Sequence, residues 1–142
     1  MTFEQDIVNN CVCHKVRAAA RSVTCAYDQA LRPVRLRATQ LAVLAGVGID
    51  GSVSITALAD RLAMDRTTLS RNLRPLEKAD LIKVGDESWR RSRTLEITEK
   101  GRSRLRKAFP LWQKAQETLR RNLGVSEFDE VRDSLGRLVN AY

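Results

Sequence analysis

Three absences limit the class of protein that this sequence can encode. It has no run of roughly 18 apolar residues, the length that a membrane-spanning helix requires. Its first ten residues, MTFEQDIVNN, lack the basic and apolar segments of a signal peptide. Cysteine occurs only three times, an odd number that argues against a disulfide framework and favours a reducing compartment. We therefore expect a cytoplasmic protein with no membrane-spanning segment.

Groups suited to catalysis or metal binding are also scarce. The sequence has one histidine, no glycine-rich phosphate loop, no serine–histidine–aspartate set and no paired acids in an apolar setting. Cys11, Cys13 and His14 are close in sequence. Residues two apart lie about 200° apart around a helix, so these three cannot all face one ion. The sequence predicts a protein that is not an enzyme and that has no metal and no cofactor.

The charge balance, in contrast, is strongly positive. Lys and Arg number 25 against 17 Asp and Glu, which gives a formal net charge of +8 and a pI near 10.0. This excess favours a polyanionic partner, either nucleic acid or an anionic membrane surface, and the plain alternative is a solvated basic surface. Arginine is more frequent than lysine, and the arginine side chain suits bidentate contacts with phosphate and guanine.

Apolar residues at helical spacing predict four helices in the first part of the chain. The first covers residues 6–31 and ends at Arg32-Pro33, because the residue before a proline resists the helical conformation. The second covers residues 37–47. The third begins after Ser54 and the fourth, residues 65–79, begins at Asp65, since serine and aspartate are good N-caps.

The fourth helix has two contrasting faces. Leucines at positions i, i+4 and i+7 (Leu69, Leu73 and Leu76) form a stripe that we expect to be buried. Pro75 removes one backbone hydrogen bond, but the leucine period continues across it, so it should bend the helix without ending it. The opposite face carries Thr67, Arg71, Arg74 and Lys78.

A hairpin and two further helices complete the predicted order α-α-α-α-β-β-α-α. The strands cover residues 81–84 and 93–97, where apolar and polar residues alternate. Thr98 caps a long helix that Gly124 ends, and Ser126 caps the last helix. The fold class is mainly α with a small β component.

The third and fourth helices with the hairpin predict a winged helix-turn-helix. The N-terminal end of a helix carries the positive half of the helix dipole, and an α-helix fits the DNA major groove. The hairpin loop, residues 85–93, would reach phosphates or a neighbouring minor groove. A plain alternative is that these side chains form the solvated face of a surface helix. The predicted DNA-binding residues are Arg66, Thr67, Thr68, Ser70, Arg71 and Arg74 on the fourth helix and Arg90 and Arg91 in the wing.

From about Asn10 to Leu138 the sequence resembles the MarR family of bacterial transcription regulators. The resemblance is carried by "LRATQLAVLAGVG", "SITALADRLAMDRTTLSRNLRPLEKADLIKVG" and "RRSRTLEITEKG". It implies a homodimer that binds pseudo-palindromic DNA and usually represses transcription. Residues 1–35 and 99–142 would form the helical dimerisation region, and residues 36–98 the winged helix-turn-helix domain. Trp89 occupies the position at which the family usually has an Asp before the paired wing arginines; Asp86 and Glu87 are the acidic residues nearest to it.

Two kinds of signal are typical of the family. One is a small aromatic or phenolic ligand, bound between the dimerisation helices and the DNA-binding lobe. The other is an oxidant: in the organic-hydroperoxide repressors a reactive cysteine is supported by tyrosines of the other subunit, and Cys13 and Tyr27 match those positions. Ala38 and Arg17 fall where other aromatic residues would stand. A non-specific architectural or protein-binding winged helix remains the alternative from another functional class.

Overall fold

The computed structural model describes residues 1–85 and 93–142, which form seven α-helices, one 3-10 turn and three β-strands. In chain order, the elements before the wing are α1 (Phe3–Asn10), α2 (Val12–Leu31), the 3-10 turn (Arg32–Val34), α3 (Ala38–Gly48), β1 (Ser52–Ser54), α4 (Ile55–Leu62), α5 (Arg66–Lys78) and β2 (Ile82–Val84). After the wing come β3 (Thr94–Ile97), α6 (Glu99–Leu123) and α7 (Val125–Val139). The predicted mainly helical fold class is confirmed.

The predicted element order was incomplete in two places. The first helix is divided at Cys11, whose backbone is extended with φ −67° and ψ 114°. Asn9 and Asn10 precede the break, and asparagine side chains compete with the helical hydrogen bonds of the backbone. The second difference is β1, a strand of three residues with too short a pattern to be recognised.

The strands form one antiparallel sheet in the order β1-β3-β2. Val53 of β1 and Val84 of β2 both stand opposite Leu95 of the central strand. Leu95 is completely buried, and Val53 is nearly so. The sheet therefore ties the segment before α4 to the wing strands.

The predicted ends of most helices are confirmed. Ser54, Asp65 and Thr98 each accept a hydrogen bond from the backbone of the third helical residue, and Gly124 ends α6. Both internal prolines stay within their helices, as expected for Pro75. The prediction for Ser126 was wrong, because α7 begins at Val125 directly after Gly124, which has φ +100°. A glycine with positive φ reverses the chain at one residue, so no separate cap is needed.

The buried core lies between α3, α4, α5, the sheet and the adjoining ends of α2 and α6. Its largest fully buried side chains are Leu31, Leu44, Leu58, Leu69, Leu76, Leu81, Ile82 and Leu95. Neither α1 nor α7 has a buried residue. The single chain thus has a complete core around the helix-turn-helix and two terminal helices outside it.

Candidate nucleic-acid interface

The turn between α4 and α5 sets the direction of α5. Ala63 has φ +50°, a left-handed conformation, and the Met64 N–H donates to the Ala59 carbonyl at 2.9 Å. This pattern closes the C-terminal end of α4 and reverses the chain. Asp65 follows in an extended conformation and starts α5. The segment is therefore a tight helix-turn-helix connection of three residues.

Thr68 makes two hydrogen bonds to the Asp65 side chain at the start of α5. The backbone N–H of Thr68 donates to Asp65 Oδ1 at 2.7 Å, and the Thr68 hydroxyl donates to Oδ2 at 2.9 Å. The backbone bond and then the side-chain bond from Thr68 are the largest causes that lower the pKa of Asp65. Thr68 was predicted to contact DNA, and the structure places its hydroxyl in the helix cap.

The remaining predicted residues of α5 lie together on its outer face. All five are exposed, whereas Leu69, Leu73 and Leu76 on the opposite face are buried. The five side chains line one shallow depression of the surface. Three guanidinium groups and two hydroxyl groups therefore lie side by side on the solvent side of a helix that its leucines hold in place. This group, the α5 outer face, consists of Arg66, Thr67, Ser70, Arg71 and Arg74.

The base of the wing is well defined. The Gly85 N–H donates to the Thr94 carbonyl at 2.7 Å, and the Ile55 N–H donates to the Arg93 carbonyl at 3.1 Å. The second bond joins the start of α4 to the residue that precedes β3 and was not predicted. Arg90 and Arg91, together with Trp89, Asp86 and Glu87, lie outside the described residues.

The predicted redox pair is not brought together within one chain. Cys13 is exposed in the first turn of α2, and Tyr27 lies 14 residues further along the same helix. At 1.5 Å per residue this is a separation of about 21 Å. The Tyr27 hydroxyl donates to Gln116 Oε1 of α6, and burial raises the pKa of Tyr27. Across residues 1–85 and 93–142, no group of three His, Cys, Asp or Glu side chains is placed to hold a metal ion.

A cavity of about 350 Å³ lies between α2, α3 and α6. Its position was not predicted from the sequence. Its aromatic wall is formed by Phe109 and Trp112, whose ring centroids are 5.7 Å apart. Their spacing of three residues was visible in the sequence, but the facing walls come from distant segments. The complete lining is Tyr27, Ala38, Leu41, Ala42, Ala45, Leu105, Phe109 and Trp112.

Comparisons with known proteins agree with this geometry. A model described as a helix-turn-helix domain matches residues 33–85. Among solved structures, the chain is similar to the transcriptional regulator MosR of M. tuberculosis in complex with DNA, with 36% identity and a TM-score of 0.84 over 93% of this chain and 96% of that chain. A comparison with curated protein sequences found no match.

Two more distant structures share the fold. A mutant of MarR from E. coli bound to operator DNA is 17% identical, with a TM-score of 0.81 over 97% of this chain and 99% of that chain. BpsR of Bordetella bronchiseptica, whose DNA binding is regulated by 6-hydroxynicotinic acid, is 21% identical, with a TM-score of 0.81 over 99% of this chain and 98% of that chain.

The fold and the exposed helix define a winged helix-turn-helix protein. The similarity to MosR extends over nearly the whole of both chains. The chain belongs to the MarR family of DNA-binding transcriptional regulators. Members of this family are regulators and not enzymes, so the prediction of a non-enzymatic protein is confirmed. In the part of the chain that the structure describes, no helix combines the length and the apolar character needed to cross a membrane.

Proposed function

We propose that α5 is the recognition helix of a homodimeric, cytoplasmic transcriptional repressor that binds a pseudo-palindromic operator. The observation that carries this proposal is the exposed α5 outer face, with its three arginines and two hydroxyls, opposite a buried leucine ridge. Arginine pairs with guanine O6 and N7 in the major groove, and hydroxyls or the threonine methyl group contact other bases. Thr68 contributes indirectly, by fixing the cap that orients the first turn.

The terminal helices support the proposed dimer. Ile7 on α1 is 63% exposed and Leu135 on α7 is 48% exposed, although both helices are amphipathic. Contiguous exposed apolar surface on a soluble chain normally marks an interface. We therefore assign residues 1–35 and 99–142 to dimerisation and residues 36–98 to DNA binding. A two-fold axis would place two recognition helices in half-sites about 10 base pairs apart.

A band-shift titration of Arg71→Ala tests the role of the α5 outer face. The DNA is a duplex selected by the unaltered protein from a random pool. Loss of one bidentate guanine contact should weaken specific binding by roughly 1–3 kcal/mol and relax the base preference at one position of the site. Lys107→Ala, an exposed cation on α6, is the matched control. Equal binding by both variants would remove the support for α5 as the reading element.

The wing arginines are predicted to act differently from Arg71. Phosphate contacts carry no direct sequence information, so Arg90→Ala should weaken binding to all duplexes alike. It should also reduce the slope of log K against log salt concentration by about 0.9. A change in base preference with an unchanged salt slope would contradict a phosphate role for Arg90.

We further propose that the cavity between α2, α3 and α6 binds a small aromatic ligand that controls DNA binding. Its lining is largely apolar, with the Tyr27 hydroxyl as a polar group and the Phe109–Trp112 pair as an aromatic wall. The DNA binding of BpsR, which has the same fold, is regulated by an aromatic acid, 6-hydroxynicotinic acid. A ligand in this cavity would act by changing the separation of the two recognition helices.

The experiment for the ligand uses 6-hydroxynicotinic acid and 2,4-dichlorophenol as probes and measures the operator Kd with and without each. A rise in Kd that Ala42→Trp abolishes by filling the cavity supports the proposal. If neither probe changes the Kd, or if both act equally on the filled variant, this cavity is not the regulatory site.

A second candidate signal is oxidation of Cys13, which is favoured by its exposure. A hydroperoxide would transfer one oxygen to the thiolate, giving a sulfenic acid, while the O–O bond breaks and the other oxygen leaves as the alcohol. Arg17, an exposed cation one turn further along α2, lies on the same face of the helix as Cys13. Release of the operator by cumene hydroperoxide, abolished in Cys13→Ser and retained in Cys25→Ser, supports this signal. Equal release in both variants contradicts it.

A further inference from the structure

The segment that follows α5, residues 79–81, is held by the beginning of α6. Here the Lys100 ammonium donates to the Ala79 carbonyl at 2.8 Å, and the Thr98 hydroxyl donates to the Asp80 carbonyl at 2.6 Å. The Thr98 N–H donates to the next carbonyl, that of Leu81, at 3.1 Å. Three consecutive carbonyls are therefore bound by two residues of the α6 start.

The two backbones also meet directly. A Cβ atom added to Gly101 would lie 2.1 Å from the Leu81 carbonyl oxygen, far inside van der Waals contact. Gly101 is buried in the first turn of α6. Any larger residue at this position would force α6 away from the Leu81 backbone, in the segment that follows α5. The absence of a side chain thus permits the close approach on which the three hydrogen bonds depend.

The same helix leads from this contact to the rest of the molecule. One turn after Gly101, Leu105 lines the cavity, and Phe109 and Trp112 follow on the next turns. Further along, α6 packs on α2 and α7, the helices that we assign to dimerisation. α6 thus contacts the segment that follows α5, lines the cavity and packs on the helices that we assign to dimerisation.

We propose that Thr98, Lys100 and Gly101 form a joint that fixes the recognition helix on α6, and that Lys100 is a positioning residue for sequence-specific DNA binding. The proposal rests on the proposed role of α5. Base contacts require their side chains to be held within about 0.5 Å, and a dimer must place two such helices at once. Lys100 adds a cation at the negative end of the α5 dipole and a hydrogen bond to Ala79, the C-cap residue of α5.

Lys100 is suited to a test because its side chain is exposed and no core packing depends on it. The Lys100→Met variant keeps the length of the side chain and removes its charge and its donors. Lys107→Met makes the same change at another exposed position of α6 and serves as the control. Lys100→Arg retains a cation that can donate to the Ala79 carbonyl.

The measurement is the Kd of each variant for the selected duplex and for an unrelated duplex, at several salt concentrations, with the active fraction determined by stoichiometric titration. Lys100→Met should weaken binding to the selected duplex by about threefold to tenfold relative to Lys107→Met. Binding to the unrelated duplex and the salt slope should match those of Lys107→Met. Lys100→Arg should remain within about twofold of the unaltered protein.

Four results would overturn the proposal. Equal Kd values for Lys100→Met and Lys107→Met would show that the joint does not position α5. A salt slope lower by about 0.9 in Lys100→Met alone would identify a direct phosphate contact instead. A reduced active fraction with an unchanged Kd would indicate a role in stability only. Failure of Lys100→Arg to restore binding would exclude the cation–carbonyl contact as the cause.

The Arg71→Ala and Lys100→Met experiments distinguish failure of the proposed joint from failure of the proposed recognition helix. If Arg71→Ala has no effect, the role of α5 fails and the joint has nothing to position. If Arg71→Ala weakens binding while Lys100→Met behaves like its control, only the joint is refuted.

Discussion

Two amphipathic helices of this protein, α5 and α7, expose opposite chemistry. α5 buries its leucines and presents arginine and hydroxyl groups to solvent. α7 buries no residue, and its apolar positions Val131 and Leu135 are 45% and 48% exposed. The first helix has its apolar partner within the chain and leaves a cationic face for a polyanion. The second has an exposed apolar face, which the proposed homodimer would cover.

The largest expected effect is a loss of folding stability when a buried leucine of α5 is substituted. Leu69 is completely buried, so Leu69→Ala should lower the free energy of unfolding by about 2–5 kcal/mol. Thr67→Ala, on the exposed side of the same helix, should change it by no more than about 0.5 kcal/mol. Urea unfolding followed by circular dichroism gives both values. Similar losses in the two variants would mean that α5 is not held by its leucine ridge.

A charge placed on α7 tests the other half of the comparison. Leu135→Asp would bury an unpaired carboxylate in the proposed interface and should raise the dimer dissociation constant by at least about 100-fold. Ser134→Asp adds the same charge at the neighbouring position. Sedimentation velocity should find the variant at the 16.0 kDa chain mass and the control at twice that mass. A dimer that persists in Leu135→Asp would show that this face of α7 is not the interface.

The smallest expected effect is the pH dependence of the stability that the Asp65 cap gives to α5. The pKa of Asp65 is lowered in the folded protein by the Thr68 hydrogen bonds. The stabilisation from ionised Asp65 is therefore complete above the pKa of Asp65 in the unfolded chain and is lost as the pH falls through the lower pKa of the folded protein. Asp65→Asn keeps an acceptor without a titrating charge. Thermal unfolding from pH 6 to pH 2 should show a stability difference between the two proteins that narrows only at the acid end.

The elements that the sequence predicts well are those with local signals. The period of Leu69, Leu73 and Leu76 and the caps Asp65 and Thr98 define their helices without knowledge of distant residues, and the structure places these helices within about one residue of the predicted bounds. The alternation around Leu95 likewise defines a strand.

The elements that the sequence does not predict depend on contacts between distant segments. β1 is a strand only because Val53 stands opposite Leu95, 42 residues away. The cavity combines α2, α3 and α6, and the joint combines Lys100 with Ala79 across the wing. Neither has a periodic or local signature, because the participating residues lie in different elements.

The candidate DNA-binding site on α5 could be predicted from the sequence only in part. The exposure of Arg71 follows from the leucine period of its own helix, so it was predictable. The use of the Thr68 hydroxyl in the Asp65 cap was not, since a threonine near a helix start can serve either a cap or a base contact.

The most direct test of the recognition role is to select binding sites from random duplexes with the unaltered protein and with Arg71→Ala. The unaltered protein should recover two inverted half-sites whose centres are about 10 base pairs apart. The variant should lose preference at one symmetrically repeated position and retain the others. An unchanged consensus for Arg71→Ala, or a single half-site for the unaltered protein, would contradict a paired α5 reading the major groove.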